Sequence, residues 1–157
     1  MSRLRGRSTK GERLVASVPH GHWKTTTFVA GFTLTGFIAP MVLDGPMNGL
    51  TFLAYVKQFL ARELRPGDIV IMDNLPAHKV NGVRQAVEAV GAELLYLPPY
   101  SPDLNPIEMA FSKIKALLRK AEERTRDGLW DRTAQIIDHF SPEECSNFFR
   151  HDGYGSM

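Results

Sequence analysis

Two acidic residues in this sequence stand where metal-dependent chemistry could be done. Asp73 ends the apolar run IVIMD (69–73). An Asp closing a buried parallel strand sits where open α/β sheets hold their ligands. Burying it is costly unless something pairs with it, and a metal ion is one such partner. Glu108 follows Pro106 by two residues, in what reads as the first turn of a helix. A carboxylate there also gains from the helix N-terminus, so a plain capping role is the competing reading. Phosphoryl transfer wants hard cations held by oxygen ligands, one activating the nucleophile and one holding the leaving oxygen. A strand end and a helix start would supply part of that ligand set, and a third carboxylate should come from a neighbouring strand.

Asn74 and His78 flank the first of these positions in DNLPAH (73–78). His78 could contact a phosphate or orient a water; a surface histidine at a helix start is the alternative. Asn105 can cap the helix that carries Glu108. Tyr100 and Ser101 lie on the same proline-rich loop, whose stiffness would hold the helix start at a fixed distance from the strand end. His20 and His22 are too isolated to form a metal pair, and Trp23 reads as packing.

The elements that must position these residues can be read in order. Residues 1–10 are basic and polar, an arm or loop, and 12–18 could form a short strand. Residues 23–34 and 37–43, rich in Thr, Val and aromatics, read as further strands of an antiparallel meander. Pro40 argues for an edge or a bulge. Asn48 caps a helix over 49–62 with Leu50, Leu53, Val56, Leu60 and Leu64 on its apolar face. A buried strand follows at 69–73, a helix over 80–90 capped by Gly91, and a strand at 93–97. Pro98, Pro99, Pro102 and Pro106 interrupt the chain and open a helix reaching about residue 124. A helix over 127–139 comes next, then one capped by Ser141 with Pro142 at its first position. The order is that of an α/β protein with a mixed sheet and flanking helices. It resembles a ribonuclease-H-like fold without its first strand, as one domain over 1–150 and a flexible tail over 151–157.

The 157 residues, 43% hydrophobic and 23% charged, suit one soluble domain. A net charge of +2 says little about partners, but its distribution says more. Arg3, Arg5, Arg7, Lys10 and Arg13 crowd the first thirteen residues. Lys113, Lys115, Arg119, Lys120, Arg124 and Arg126 form a second cluster. Such patches can pair with phosphates. The single Cys145 permits no internal disulfide and argues against a thiolate metal site. No secretory signal and no long apolar span occur, so a cytoplasmic protein without membrane contact is expected.

MDNLPAHK (72–79), followed by LLYLPPYSPDLNPIE (94–108), resembles the core of IS630/Tc1/mariner-type transposases. KGERLVASVPHGHWKTTTFVAGF and VLDGPMNG are similar to the IS630 branch in particular. The resemblance runs from about Arg3 to Phe149. It implies three carboxylates binding two Mg²⁺ or Mn²⁺ ions, which activate water to nick DNA and then a freed 3′-hydroxyl to attack a target. Asp73 corresponds to the second carboxylate and Glu108 to the third, with 34 residues between them. The family's first carboxylate lies upstream of RLRGRSTKGER, the segment inside which this chain begins. The resemblance therefore implies that this ligand, its central strand and the N-terminal DNA-binding region are lacking. Asp44, in LDGPMNG, matches a family Asp that is not the first ligand.

Expected partners are double-stranded DNA at element ends and target, and a second copy of the chain. An upstream transposase portion could be supplied by frameshift fusion or in trans. Two other functions stay open: a non-catalytic remnant that binds nucleic acid or regulates, and another ribonuclease-H-like nuclease. A small-molecule α/β enzyme is disfavoured, since neither G-x-G-x-x-G nor G-x-S-x-G occurs.

Overall fold

The computed structural model describes residues 9–11, 25–121 and 125–155. The expected strand at 12–18 lies outside them. Strands β1 (Thr26–Thr33) and β2 (Gly36–Asp44) form an antiparallel hairpin. The register slips between Val29 and Gly31, opposite Pro40 and an Ala39 with φ of 47°. This is the irregularity that a proline inside a strand demands, since it has no N–H to give the ladder.

Asn48 caps α1 (Gly49–Tyr55), its Oδ1 accepting from Thr51 N–H at 2.9 Å. The helix passes through a π-helical turn (Val56–Leu60) into a last α turn, α2 (Ala61–Glu63). Its buried side is Phe52, Tyr55, Val56 and Leu60, whereas Leu50 is exposed, one step off the face expected from spacing. Strands β3 (Ile69–Met72) and β4 (Glu93–Tyr96) are parallel neighbours, Met72 opposite Tyr96. Between them run a 3-10 turn (Pro76–Lys79) and α3 (Val83–Glu88), shorter than the 80–90 expected. The start of α3 is fixed by Gly82, whose φ of 102° a side chain would resist.

A second 3-10 turn (Pro102–Leu104) leads into α4 (Pro106–Ala121), followed by α5 (Arg126–Ile137) and α6 (Pro142–His151). Ser141 Oγ accepts from Glu144 N–H, the cap expected there. Residues 152–155, expected as a loose tail, make specific contacts. Tyr154 donates its hydroxyl to Leu104 O at 2.6 Å and packs on Phe149.

Two cores result. One joins Phe52, Tyr55, Val56 and Leu60 to Met72, Leu94, Val83 and Val87. The other joins Ala110, Ile114 and Leu118 of α4 to Ile136, Phe140 and Cys145. The hairpin serves both. Val29, Ile38 and Met41 pack on the first core, while Phe28, Phe32 and Phe37 pack on the second. That is the period-2 alternation of a strand buried on both faces. The two strand pairs form separate sheets among the described residues. The fold is α/β with flanking helices, and a strand joining the two sheets into one mixed sheet is not among those residues.

Candidate metal-binding site

Asp73 is the residue after β3, held in place by the parallel ladder. Leu97 N–H donates to Met72 O at 2.8 Å, tying the chain beyond β4 to the residue before it. The Asp73 Oδ1 atom accepts a long bond from Leu75 N–H at 3.4 Å and lies against His78 Nδ1. The imidazole contact lacks the alignment of a hydrogen bond and is a close charge pairing when His78 is protonated. His78 is itself held from two sides. Its ring packs on Phe52, centroids 4.2 Å apart, and its backbone carbonyl accepts the Tyr96 hydroxyl at 2.7 Å. Burial raises the pKa of that phenol, and the nearby Arg84 guanidinium offsets part of the rise. The 3-10 turn carrying His78 lies close under α1. A Cβ on Gly49 would come within 2.2 Å of Val80, so only glycine lets the helix start approach this turn.

Asn74 follows Asp73 with its Oδ1 buried and without a hydrogen-bond partner among the described residues. Such an oxygen is costly to leave bare and fits a hard cation or a donor. With Asp73 Oδ1 engaged by His78 and Leu75, Oδ2 is the oxygen left for an ion.

Glu108 is exposed in the first turn of α4, and its N–H donates to Asn105 O at 3.0 Å. This backbone bond, together with Pro106 at the first helical position, starts the helix. Glu108 borders an open cleft of about 430 Å³ lined also by Pro102, Asp103, Met109, Ser112, His151 and Asp152. Asp73 does not line it. Asp152, at the end of α6, is only 4% exposed at its side chain, with Oδ1 3.0 Å from His151 Nδ1 and Oδ2 without a partner among the described residues. These C-terminal residues gave no signal in the sequence, because they reach the start of α4 only through the packing of α6 on α4. Phe52 and Tyr96, the supports of His78, gave no signal either, because contacts of α1 and β4 with the 3-10 turn bring them there.

The oxygen donors present are chemically suited to Mg²⁺ or Mn²⁺, but they are few. Among the described residues no three His, Cys, Asp or Glu side chains gather as a metal cluster. Asp44 ends β2 and pairs with Arg126. Of the basic residues, Lys10 and Lys115 are exposed. Lys113 pairs with Glu144 and lies 4.5 Å over the Phe140 ring. Arg3, Arg5, Arg7 and Arg13 fall outside the described residues. No described helix is long and apolar enough to cross a membrane.

Comparison with known proteins places this arrangement. The family model described as DDE superfamily endonuclease matches residues 1–129. No curated protein matches the chain. Among solved structures, the Mos1 strand transfer complex is similar with a TM-score of 0.75 at 19% identity, over 95% of this chain and 46% of that one. The Mos1 mariner paired end complex with Mn gives 0.73 at 20% identity, over 95% and 47%. The catalytic domain of Mos1 mariner transposase gives 0.60 at 19% identity, over 81% and 74%. The chain thus spans about half the length of the first two. From the family match and this shared architecture, the chain belongs to the DDE superfamily endonucleases and has the fold of a Tc1/mariner-type transposase catalytic domain.

Proposed function

We propose that this chain carries two metal-binding carboxylates of a transposase catalytic domain, Asp73 and Glu108, and that taken alone it binds DNA without cutting it. The observation that carries this reading is a shortfall of ligands. The two acids stand at a strand end and a helix start, yet among the described residues no three acid, imidazole or thiol side chains gather as a metal cluster. Two-metal phosphoryl transfer needs ions clamped on both the attacking and the leaving oxygen. When bound, Mg²⁺ or Mn²⁺ would supply that activation, first of a water and then of a 3′-hydroxyl.

The chain's own residues have narrower tasks. Asp73, through Oδ2, and Glu108 would hold the ions. His78 keeps the Asp73 carboxylate oriented, as a supporting partner commonly does for a metal ligand. Asn74 would add its amide oxygen, and Asn105 fixes the helix start that carries Glu108. The choice of ion and partner is supported by the Mos1 structures, which include paired end complexes with Mn and with Mg and a strand transfer complex. For this chain they suggest double-stranded DNA at element ends and target, and a second copy of the chain. An upstream transposase portion, joined by frameshift fusion or supplied in trans, would complete the ligand set. Lys10, Lys113, Lys115, Arg3, Arg5, Arg7 and Arg13 are the candidates for phosphate contacts. The IS630 branch remains the closest reading of the sequence motifs.

Strand nicking and joining on element-end DNA with Mn²⁺ tests the proposal. The chain alone should bind DNA, with affinity falling as salt rises, and give no product. A form extended upstream through the first strand and the DNA-binding region should cut and join. Product from the chain alone would overturn the ligand shortfall and return Asp44 as a candidate. Binding without product from either form would favour a non-catalytic regulatory protein.

A further inference from the structure

The loop between β4 and α4 runs from the strand beside β3, which ends at Asp73, to the helix of Glu108, and is tied at both ends. Leu97 N–H donates to the residue before Asp73, and successive turns (Leu104 N–H to Ser101 O, Asn105 N–H to Pro102 O, Glu108 N–H to Asn105 O) lead into the helix of Glu108. Tyr154 holds Leu104 O from outside. Pro98, Pro99 and Pro102 stiffen what lies between. On this loop Tyr100 is fully exposed, at 102% of the reference area, and has φ of 57°. Single exposed hydrophobes are ordinary. A bulky residue in the left-handed region is not, because that backbone favours glycine. The fold gains nothing from this ring, and strain retained in a rigid loop beside a site points to a use.

We propose that Tyr100 is a stacking platform for an unpaired DNA base beside the strand being processed. This rests on the DNA-binding reading above. Both faces of the ring are free, and every base offers a π-face, but only a base outside the duplex stack can present it. A cation stands near the start of the loop to meet a flanking phosphate: Lys79 Nζ lies 5.8 Å from the Tyr96 ring centre, whereas the neighbouring Arg84 is held by Glu88 and Leu94 O.

The test uses the full chain, without metal, and two duplexes: one blunt, one with 2-aminopurine as a single-nucleotide 3′ overhang. The wild type should bind the overhang duplex more tightly and quench its fluorescence. Tyr100→Ala should weaken overhang binding by roughly 5- to 100-fold, the range for loss of one base–aromatic stack, with blunt binding unchanged. Tyr100→Phe should retain both the binding and the quench. Tyr100→Gly should lose the quench without lowering the thermal midpoint, since glycine suits this backbone. Overhang binding and quench unaltered in Tyr100→Ala would overturn the proposal while leaving the DNA reading intact. So would a lowered midpoint in Tyr100→Gly, which would assign the ring to packing. Failure of the wild type to bind either duplex would overturn the DNA reading, and this one with it.

Discussion

The two carboxylates belong to different halves of the molecule, and the halves are built differently. Asp73 rises from a mainly aliphatic core made by α1, β3, β4 and α3. Glu108 stands on a helix whose other side faces an aromatic cluster. In that cluster Phe37 stacks on Phe111 and meets Phe140 edge-on, and Phe32 stacks on Phe149. In the first half the strand ladder fixes the acid, so its position follows from hydrogen bonds only a residue away. In the second the acid's position depends on a helix start, a proline loop and the C-terminal residues that reach back to Leu104. The hairpin is the element packed on both cores. The spacing of the two proposed ligands is therefore a property of how two cores grip one hairpin.

Breaking the chemistry should have the largest effect. In the upstream-extended form, Asp73→Asn or Glu108→Gln should each abolish cutting by more than the roughly 10- to 100-fold that loss of a ligand's supporting partner costs. The double variant should be little worse than either, as for residues acting as a unit. Product yield on nicked and joined DNA reads this. Equal activity in either variant would remove that half from the site.

Breaking the cores comes next. Leu94→Ala in the first and Ile114→Ala in the second each empty a fully packed position and should cost about 2–5 kcal/mol. If the hairpin couples the halves, Trp fluorescence and far-UV circular dichroism should shift together for both variants. Separate transitions would show that the halves unfold independently.

The hairpin itself offers a sharper test. A Cβ on Gly31 would stand 2.7 Å from Ile38 Cγ1 and 3.3 Å from Leu60 Cδ1. Gly31→Ala should cost about 1–3 kcal/mol by overpacking, measured by urea denaturation. A neutral result would mean that the hairpin does not press on the first core.

The smallest effects lie at the caps. Asn48→Ala and Ser141→Ala each remove one side-chain bond to a helix N-terminus, in the first and second half respectively. Each should cost about 1 kcal/mol. If the halves are coupled, the two losses should appear equally in the global midpoint.

Much of this was legible in the sequence because its causes are local. Asn48 and Ser141 announce their helices three residues before the N–H groups that they cap, and Pro40 announces the hairpin's irregularity. The run IVIMD places Asp73 at a strand end because β-branched and apolar residues fit a buried ladder. Pro106 places Glu108 in a first turn. Other features were hidden. The apolar face of α1 lies one step from that given by helical spacing, since the π-helical turn at Val56–Leu60 and the contact of Gly49 with Val80 answer to neighbours distant in sequence. Asp152 and Tyr154 read as parts of a loose tail, because only the packing of α6 on α4 brings them to the loop before Glu108.

The sequence by itself determined the family, the two acids and the kind of element each one sits on. These follow from motif, short-range hydrogen bonding and periodicity, which act over a few residues. Only the tertiary structure decided which supports each acid has: Phe52 and Tyr96 for His78, and the C-terminal residues for the loop of Glu108. Contacts between segments tens of residues apart depend on how two cores fill the faces of one hairpin, and no local pattern in the chain encodes that fit.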